Sequence, residues 1–138
     1  MHVGDAGASA LAAALGQGAL PRLKTLSLYN AAIGDAGLVA LAPVLRRLPA
    51  LETLYLMDNP FGDEGLAALV APPPTGGLAK LNKLNLGYTQ ITDAGCATLA
   101  AALDSGALPA LKHLYLDGIE ASVAAIDAVY EARANVKA

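Results

Sequence analysis

Leucines recur along the chain in one fixed phase. Leu23-Lys24-Thr25-Leu26-Ser27-Leu28, Leu51-Glu52-Thr53-Leu54-Tyr55-Leu56, Leu81-Asn82-Lys83-Leu84-Asn85-Leu86 and Leu111-Lys112-His113-Leu114-Tyr115-Leu116 all read LxxLxL. The first leucines of these blocks stand 28, 30 and 30 residues apart, and Leu20, Leu48, Leu78 and Leu108 each precede one by three positions. Within LxL the alternation has period two, so both leucines point to one face of a short strand and the residue between them points to the other. After three of the strands come Ile33-Gly34-Asp35-Ala36-Gly37, Phe61-Gly62-Asp63-Glu64-Gly65 and Ile91-Thr92-Asp93-Ala94-Gly95. Each is an apolar anchor, a turn, and an aspartate placed to cap a helix whose first amides lack intrahelical acceptors. Helical spacing follows, as in Leu38, Leu41 and Leu45 or in Cys96, Leu99 and Leu103, the stripe of an amphipathic helix.

One strand–turn–helix unit cannot bury both its strand face and its helix stripe, whereas stacked copies can. The pattern therefore predicts a single α/β domain, a right-handed solenoid. A parallel sheet of about four strands forms its concave face and helices its convex face. The expected division is a strandless half-repeat over 1–22, full repeats over 23–50, 51–80 and 81–110, and a shortened repeat with a cap helix over 111–138. In the half-repeat, Val3-Gly4-Asp5-Ala6-Gly7 aligns with the turn and helix start of later copies, and Leu11 and Leu15 align with Leu41 and Leu45. The final helix is expected over Ser122–Arg133. Val123, Ile126 and Val129 or Tyr130 should face inward, and Glu120, Asp127, Glu131 and Arg133 should form a polar outer side.

These elements resemble the leucine-rich repeats, and among them the ribonuclease-inhibitor-like class with a full helix per repeat. The resemblance covers nearly the whole chain. It rests on the LxxLxL strands, the anchor before Gly-Asp or Thr-Asp, and helix starts such as Cys96-Ala97-Thr98-Leu99. The asparagine that usually follows the strand in that family survives only as Asn59, where other copies have Ala31, Thr89 and Ile119, so a continuous asparagine ladder is not expected. The resemblance implies protein–protein recognition. Ran GTPase-activating proteins carry similar repeats, but nothing in this chain matches them residue by residue, and the sheet face offers no arginine finger.

Composition narrows the function further. The chain has 138 residues, 55% apolar, 4% aromatic and 15% charged, with a net charge of −3, which fits neither a disordered chain nor a nucleic-acid binder. Apolar content carried by Ala and Leu suits close packing rather than a large cofactor pocket, and no cofactor is expected. A lone Cys96 cannot form an intramolecular disulfide, so a reducing compartment is allowed and a cytoplasmic location is the default expectation. The apolar runs are too short, or too broken by Pro72, Pro73 and Pro74, for a membrane span of about 20 residues. The proline run reads as a structural loop.

The chemistry-bearing residues have structural readings. The recurring Asp-x-Gly turns hold too few carboxylates for calcium and lack the lysine of a phosphate loop. Cys96 fills a slot held elsewhere by Leu38 and Leu66 and reads as a packing residue. His2 and His113 stand too far off in the repeat scheme to serve as its base or to complete a zinc site.

What remains is the outward-facing side of the strands, whose equivalent positions should align into columns. The first column is Thr25, Thr53, Lys83 and His113. The second is Ser27, Tyr55, Asn85 and Tyr115, and the third is Tyr29, Met57, Gly87 and Asp117, with Tyr88 beside it. Tyrosine is favoured at interfaces because it joins a rigid apolar ring to a polar end, although Tyr and Thr also suit strands in their own right. Lys24, Lys83 and Lys112 are mixed with Glu52 and Asp117 on this surface, unlike the basic stripe a phosphate backbone requires. The expected function is a non-enzymatic module that holds a protein partner on this face. The alternative is self-association, a homodimer through the edge at Leu23–Leu28, and the minor alternative is a GTPase-activating-like regulator.

Overall fold

The computed structural model describes residues 4–17, 22–70, 78–133 and 135–137. His2, Leu20 and the proline run Pro72, Pro73 and Pro74, expected as a loop, lie outside the described residues. The elements are α1 (Gly4–Gly16), β1 (Thr25–Ser27), α2 (Asp35–Leu45), β2 (Thr53–Tyr55), α3 (Asp63–Leu69), β3 (Lys83–Asn85), α4 (Asp93–Asp104), β4 (His113–Tyr115) and α5 (Val123–Ala132). Strands pair in parallel in the order β1-β2-β3-β4, each beside its sequence neighbour, which makes the chain an α/β repeat solenoid.

Each strand is only the three-residue centre of its LxxLxL block. The first leucine of a block is delivered by a turn instead, with the Leu81 amide donating to the Leu78 carbonyl and Leu111 to Leu108. Leu78 and Leu108 adopt left-handed backbone, with φ of +58° and +52°. Such a conformation costs a non-glycine residue energy, and here it keeps both side chains inside the core. The strand leucines Leu54, Leu84 and Leu114 and the helix residues Leu38, Leu41, Leu66 and Leu99 are fully buried against one another. The anchors Ile33, Phe61 and Ile91 fill the space beneath the turns and are also fully buried.

The aspartates cap helices, but not their own. Asp35, Asp63 and Asp93 sit at the first position inside their helices and Asp5 at the second position of α1, while at the cap positions Gly34 and Gly62 have no side chain and that of Thr92 makes no capping bond. The Asp5 carboxylate accepts from the amides of Gly34 at 2.7 Å and Gly37 at 3.1 Å, and Asp35 accepts from Gly62 and Gly65, both at 2.8 Å. Where the cap residue has a hydroxyl the pattern changes. Asp63 then takes the amide and hydroxyl of Thr92, and Asp93 takes those of Ser122. Asp5, Asp35, Asp63 and Asp93 thus each close the helix of the following repeat, and the sequence reading is corrected by one repeat. The glycine two residues on makes room for it: a Cβ at Gly37 would lie 2.5 Å from the Asp5 carboxylate, and one at Gly65 3.0 Å from that of Asp35.

Two expectations for the last helix also change. Val123 stands 30 residues after Asp93, in the slot of the capping aspartate, and therefore points outward at 75% exposure. Ile126 and Tyr130 are half-buried and Val129 is fully buried. Arg133 is not on the polar outer side. It occupies the slot of Leu103, and its guanidinium donates to the carbonyls of Leu103, Ala107 and Leu108. Its stem replaces a leucine, while its head serves the Ala107 carbonyl and adds a second donor to the carbonyls of Leu103 and Leu108, which also accept from the Gly106 and Leu111 amides.

Candidate functional site

The sheet register aligns the outward residues as the spacing predicts. Thr25 pairs with Thr53, Thr53 with Lys83, and Lys83 with His113; Ser27, Tyr55, Asn85 and Tyr115 form the next column. Tyr29, Met57, Gly87 and Asp117 follow, linked through the Asn30 amide to the Met57 carbonyl, Asp58 to Gly87 and Tyr88 to Asp117. All twelve candidate residues are at least partly accessible. Thr25, Ser27, Tyr29, Tyr88, His113 and Asp117 are exposed, and Thr53, Tyr55, Met57, Lys83, Asn85 and Tyr115 are half-buried. Asn85 is held in place between Tyr55 and Tyr115 because its side-chain oxygen accepts from the Gly87 amide at 2.9 Å.

Tyr88 stands beside the third column, as its spacing predicts. It sits one residue past the strand phase, with φ of +53°, in a turn position that Asn30, Asp58 and Gly118 occupy in the other repeats, all with positive φ. Its ring lies over Gly118, where a Cβ would overlap it. This places Tyr88 at the rim where the strands end. There Asn30, Asp58, Pro60, Tyr88, Gln90 and Glu120 line a groove of about 470 Å³. Sequence reasoning missed the groove. The signal that would have found it is the same 28- and 30-residue spacing applied one position beyond the third column.

Beneath the groove lies the sole asparagine of the ladder. Asn59, 2% exposed, accepts from the amides of Ala31 and Ile33 and donates to the carbonyls of Leu28 and Leu56 at 2.9 Å and of Met57 at 3.2 Å. Thr89 fills the same slot one repeat on and bonds only within its own repeat, to Leu86. Both groove walls therefore stand on buried, hydrogen-bonded turns.

Cys96 is 1% exposed. Burial pushes its thiol above the ordinary range, and the carboxylates of Asp93 and Asp63 push it the same way, so it stays protonated and packs as an apolar residue. Among the described residues no three His, Cys, Asp or Glu side chains come together as a metal site, and no helix is long and apolar enough to cross a membrane.

Comparison with known proteins agrees with this geometry. A model of the family described as Leucine Rich repeat matches residues 20–42, 48–70 and 77–100, half of the chain and three successive units. The chain belongs to the leucine-rich repeat family. Members of this repeat family typically serve as non-enzymatic scaffolds that bind other proteins. Among solved structures, the leucine-rich repeat chain is similar to "Leiomodin-1 Actin-Binding Site 2 (ABS2)", with a TM-score of 0.70 and 16% identity over 91% of this chain and 74% of that one. No curated protein matches the sequence.

Proposed function

We propose that this leucine-rich repeat protein, read as ribonuclease-inhibitor-like for its helix in every repeat, is a protein-interaction module without enzymatic activity. It holds its partner on the outward face of the sheet and acts in the cytoplasm. The observation that carries the reading is the in-register column Ser27, Tyr55, Asn85 and Tyr115, flanked by Tyr29 at 58% and Tyr88 at 62% exposure. Rigid aromatic rings beside fixed polar groups are the composition of interface centres. Thr25, Thr53, Met57, Lys83, His113 and Asp117 would form the surrounding contact area.

The test is a Tyr55→Ala/Tyr115→Ala double variant immobilised beside the wild type. Capture from native lysate should fall at least about tenfold, the scale of losing central aromatic contacts, with an unchanged melting curve. Equal capture by both would remove the sheet-face assignment. Actin is the first defined partner to try, because the fold neighbour carries actin binding in its name. A second reading is self-association through the β1 edge, favoured by Leu23 and Leu26 being only partly buried beside an edge strand. A strict monomer in light scattering at micromolar concentration would exclude it.

A further inference from the structure

Positive charge is confined to one rim. Every lysine and arginine lies between the last turn of a helix and the first residue of the next strand, or in the segment after α5. The opposite segments, from strand end to helix start, contain none. They hold Asp58, Asp117 and Glu120, and a further acid stands in the first turn of each of α1, α2, α3 and α4.

The helix-turn acids have a structural use, since they complement the positive helix end and cap the next repeat. Asp58 and Glu120 do not share it. Both are exposed loop residues, and among the described residues neither carboxylate has a hydrogen-bond or ion-pair partner. They stand two repeats apart on the same groove, with Tyr88 of the intervening repeat between them. Asp58 is in phase with Gly118, two strands on, and Glu120 stands two residues beyond it, so about 10 Å of strand spacing plus that two-residue offset separates the two positions. Gly118 and the left-handed turn hold the Tyr88 ring at the rim, and no basic residue lines the groove to neutralise the acids.

We infer that this rim groove, with Asp58 and Glu120 flanking the exposed Tyr88 ring, binds a basic extended segment of the protein partner. Two of that segment's arginines pair with the two carboxylates, and one stacks on the tyrosine. Alternate residues of an extended chain are about 7 Å apart, and flexible arginine stems span the remainder. Arginine fits better than lysine because its planar head pairs with a carboxylate in a fork and stacks on an aromatic face. The inference rests on the protein-interaction reading above and adds the partner's chemistry to it.

The probe is the blocked peptide acetyl-Gly-Arg-Gly-Arg-Gly-amide, titrated into isotope-labelled protein at low ionic strength and followed by NMR. Its citrulline counterpart, of the same shape without charge, runs in parallel. The expected result is saturable shifts centred on Asn30, Asp58, Tyr88, Gln90 and Glu120, with the citrulline peptide at least about tenfold weaker. Asp58→Asn/Glu120→Gln should weaken binding about five- to tenfold, Tyr88→Leu about two- to fivefold, and 0.5 M salt should abolish most of it. Equal binding of the citrulline peptide, absence of saturable shifts, or shifts spread evenly over Asp5, Asp35 and Asp93 would each overturn the inference. The variants change exposed side chains, and an unchanged melting temperature separates lost binding from lost folding. Because the Tyr55→Ala/Tyr115→Ala capture reads the sheet face and the peptide reads the rim, either can fail while the other stands.

Discussion

The first and last strands of the sheet carry the same leucine pattern in different surroundings. Leu114 in β4 is fully buried and Leu116 just after it is 3% exposed, whereas Leu26 in β1 is only half-buried and Leu28 just after it is 8% exposed. The difference comes from what lies beside each strand. Lys137 adds to the outer edge of β4 in parallel, its carbonyl accepting from Leu114 and its amide donating to the Lys112 carbonyl, both at 2.9 Å. The Tyr130 hydroxyl donates to the Leu114 carbonyl at 2.6 Å, and Arg133 closes the end of α4. β1 has one neighbour in the sheet order. Burial of a repeat residue is thus a property of its neighbours more than of its own motif, as nearest-neighbour stability requires.

Four measurements would break or sharpen that contrast. The largest effect is expected from Leu114→Ala, a loss of about 2–5 kcal/mol in unfolding free energy for a buried leucine. Leu26→Ala should lose only about 1–2 kcal/mol because less apolar surface is withdrawn from water there. Equal losses in denaturant titration would mean that β1 is covered as well as β4 is. Arg133→Met keeps the apolar stem but removes the donor of the Ala107 carbonyl and the second donors of Leu103 and Leu108, and should cost about 1–3 kcal/mol. The loss should appear first as faster amide exchange in α5. Asp35→Ala should cost about 1 kcal/mol, the usual value of a helix cap. Amide exchange should rise at Gly62 and Gly65, in the following repeat, and a rise confined to α2 would contradict capping across repeats.

The smallest effect is alkaline. Burial raises the Cys96 thiol and the Tyr130 phenol above their ordinary ranges; nearby acids, Asp93 and Asp63 for the thiol and Asp117 for the phenol, act the same way. Both groups hold their protons more tightly when folded, so their contribution is fully present below about pH 8.5. It declines at higher pH, because the unfolded chain releases those protons first, until the folded groups ionise too. Cys96→Ala should flatten the first part of the decline, and a melting temperature constant from pH 8 to 10 would refute it.

Much of the fold was legible because a repeat states each constraint several times. Period-two leucines set the inward face of β2, β3 and β4, and the 28- and 30-residue spacing set the columns that the register reproduces. What escaped were relations between residues about 30 apart that only stacking creates. Asp35 reads locally as the cap of its own helix, yet its carboxylate reaches Gly62 and Gly65. Arg133 reads as a surface charge until the carbonyls around its head are known, and Val123 reads as core until its slot is seen to be that of an aspartate. The strand pairing of Lys137 has no hydrophobic pattern to announce it. The rim groove escaped because its lining comes from left-handed turn positions with unlike side chains, Asn30, Asp58 and Tyr88, whose common feature is backbone geometry rather than residue type.

The offset aspartates also define what can be exchanged between proteins of this kind. A segment cut at the sequence repeat carries an aspartate chosen for someone else's helix and a glycine sized for someone else's carboxylate. The span from Asp35 through Gly65 keeps one aspartate with the amides that it caps, yet its Gly37 still receives Asp5 from before it and its Asp63 still serves Thr92 after it. A chimera therefore needs a matching aspartate and receiving glycine across both seams, even with every leucine in place.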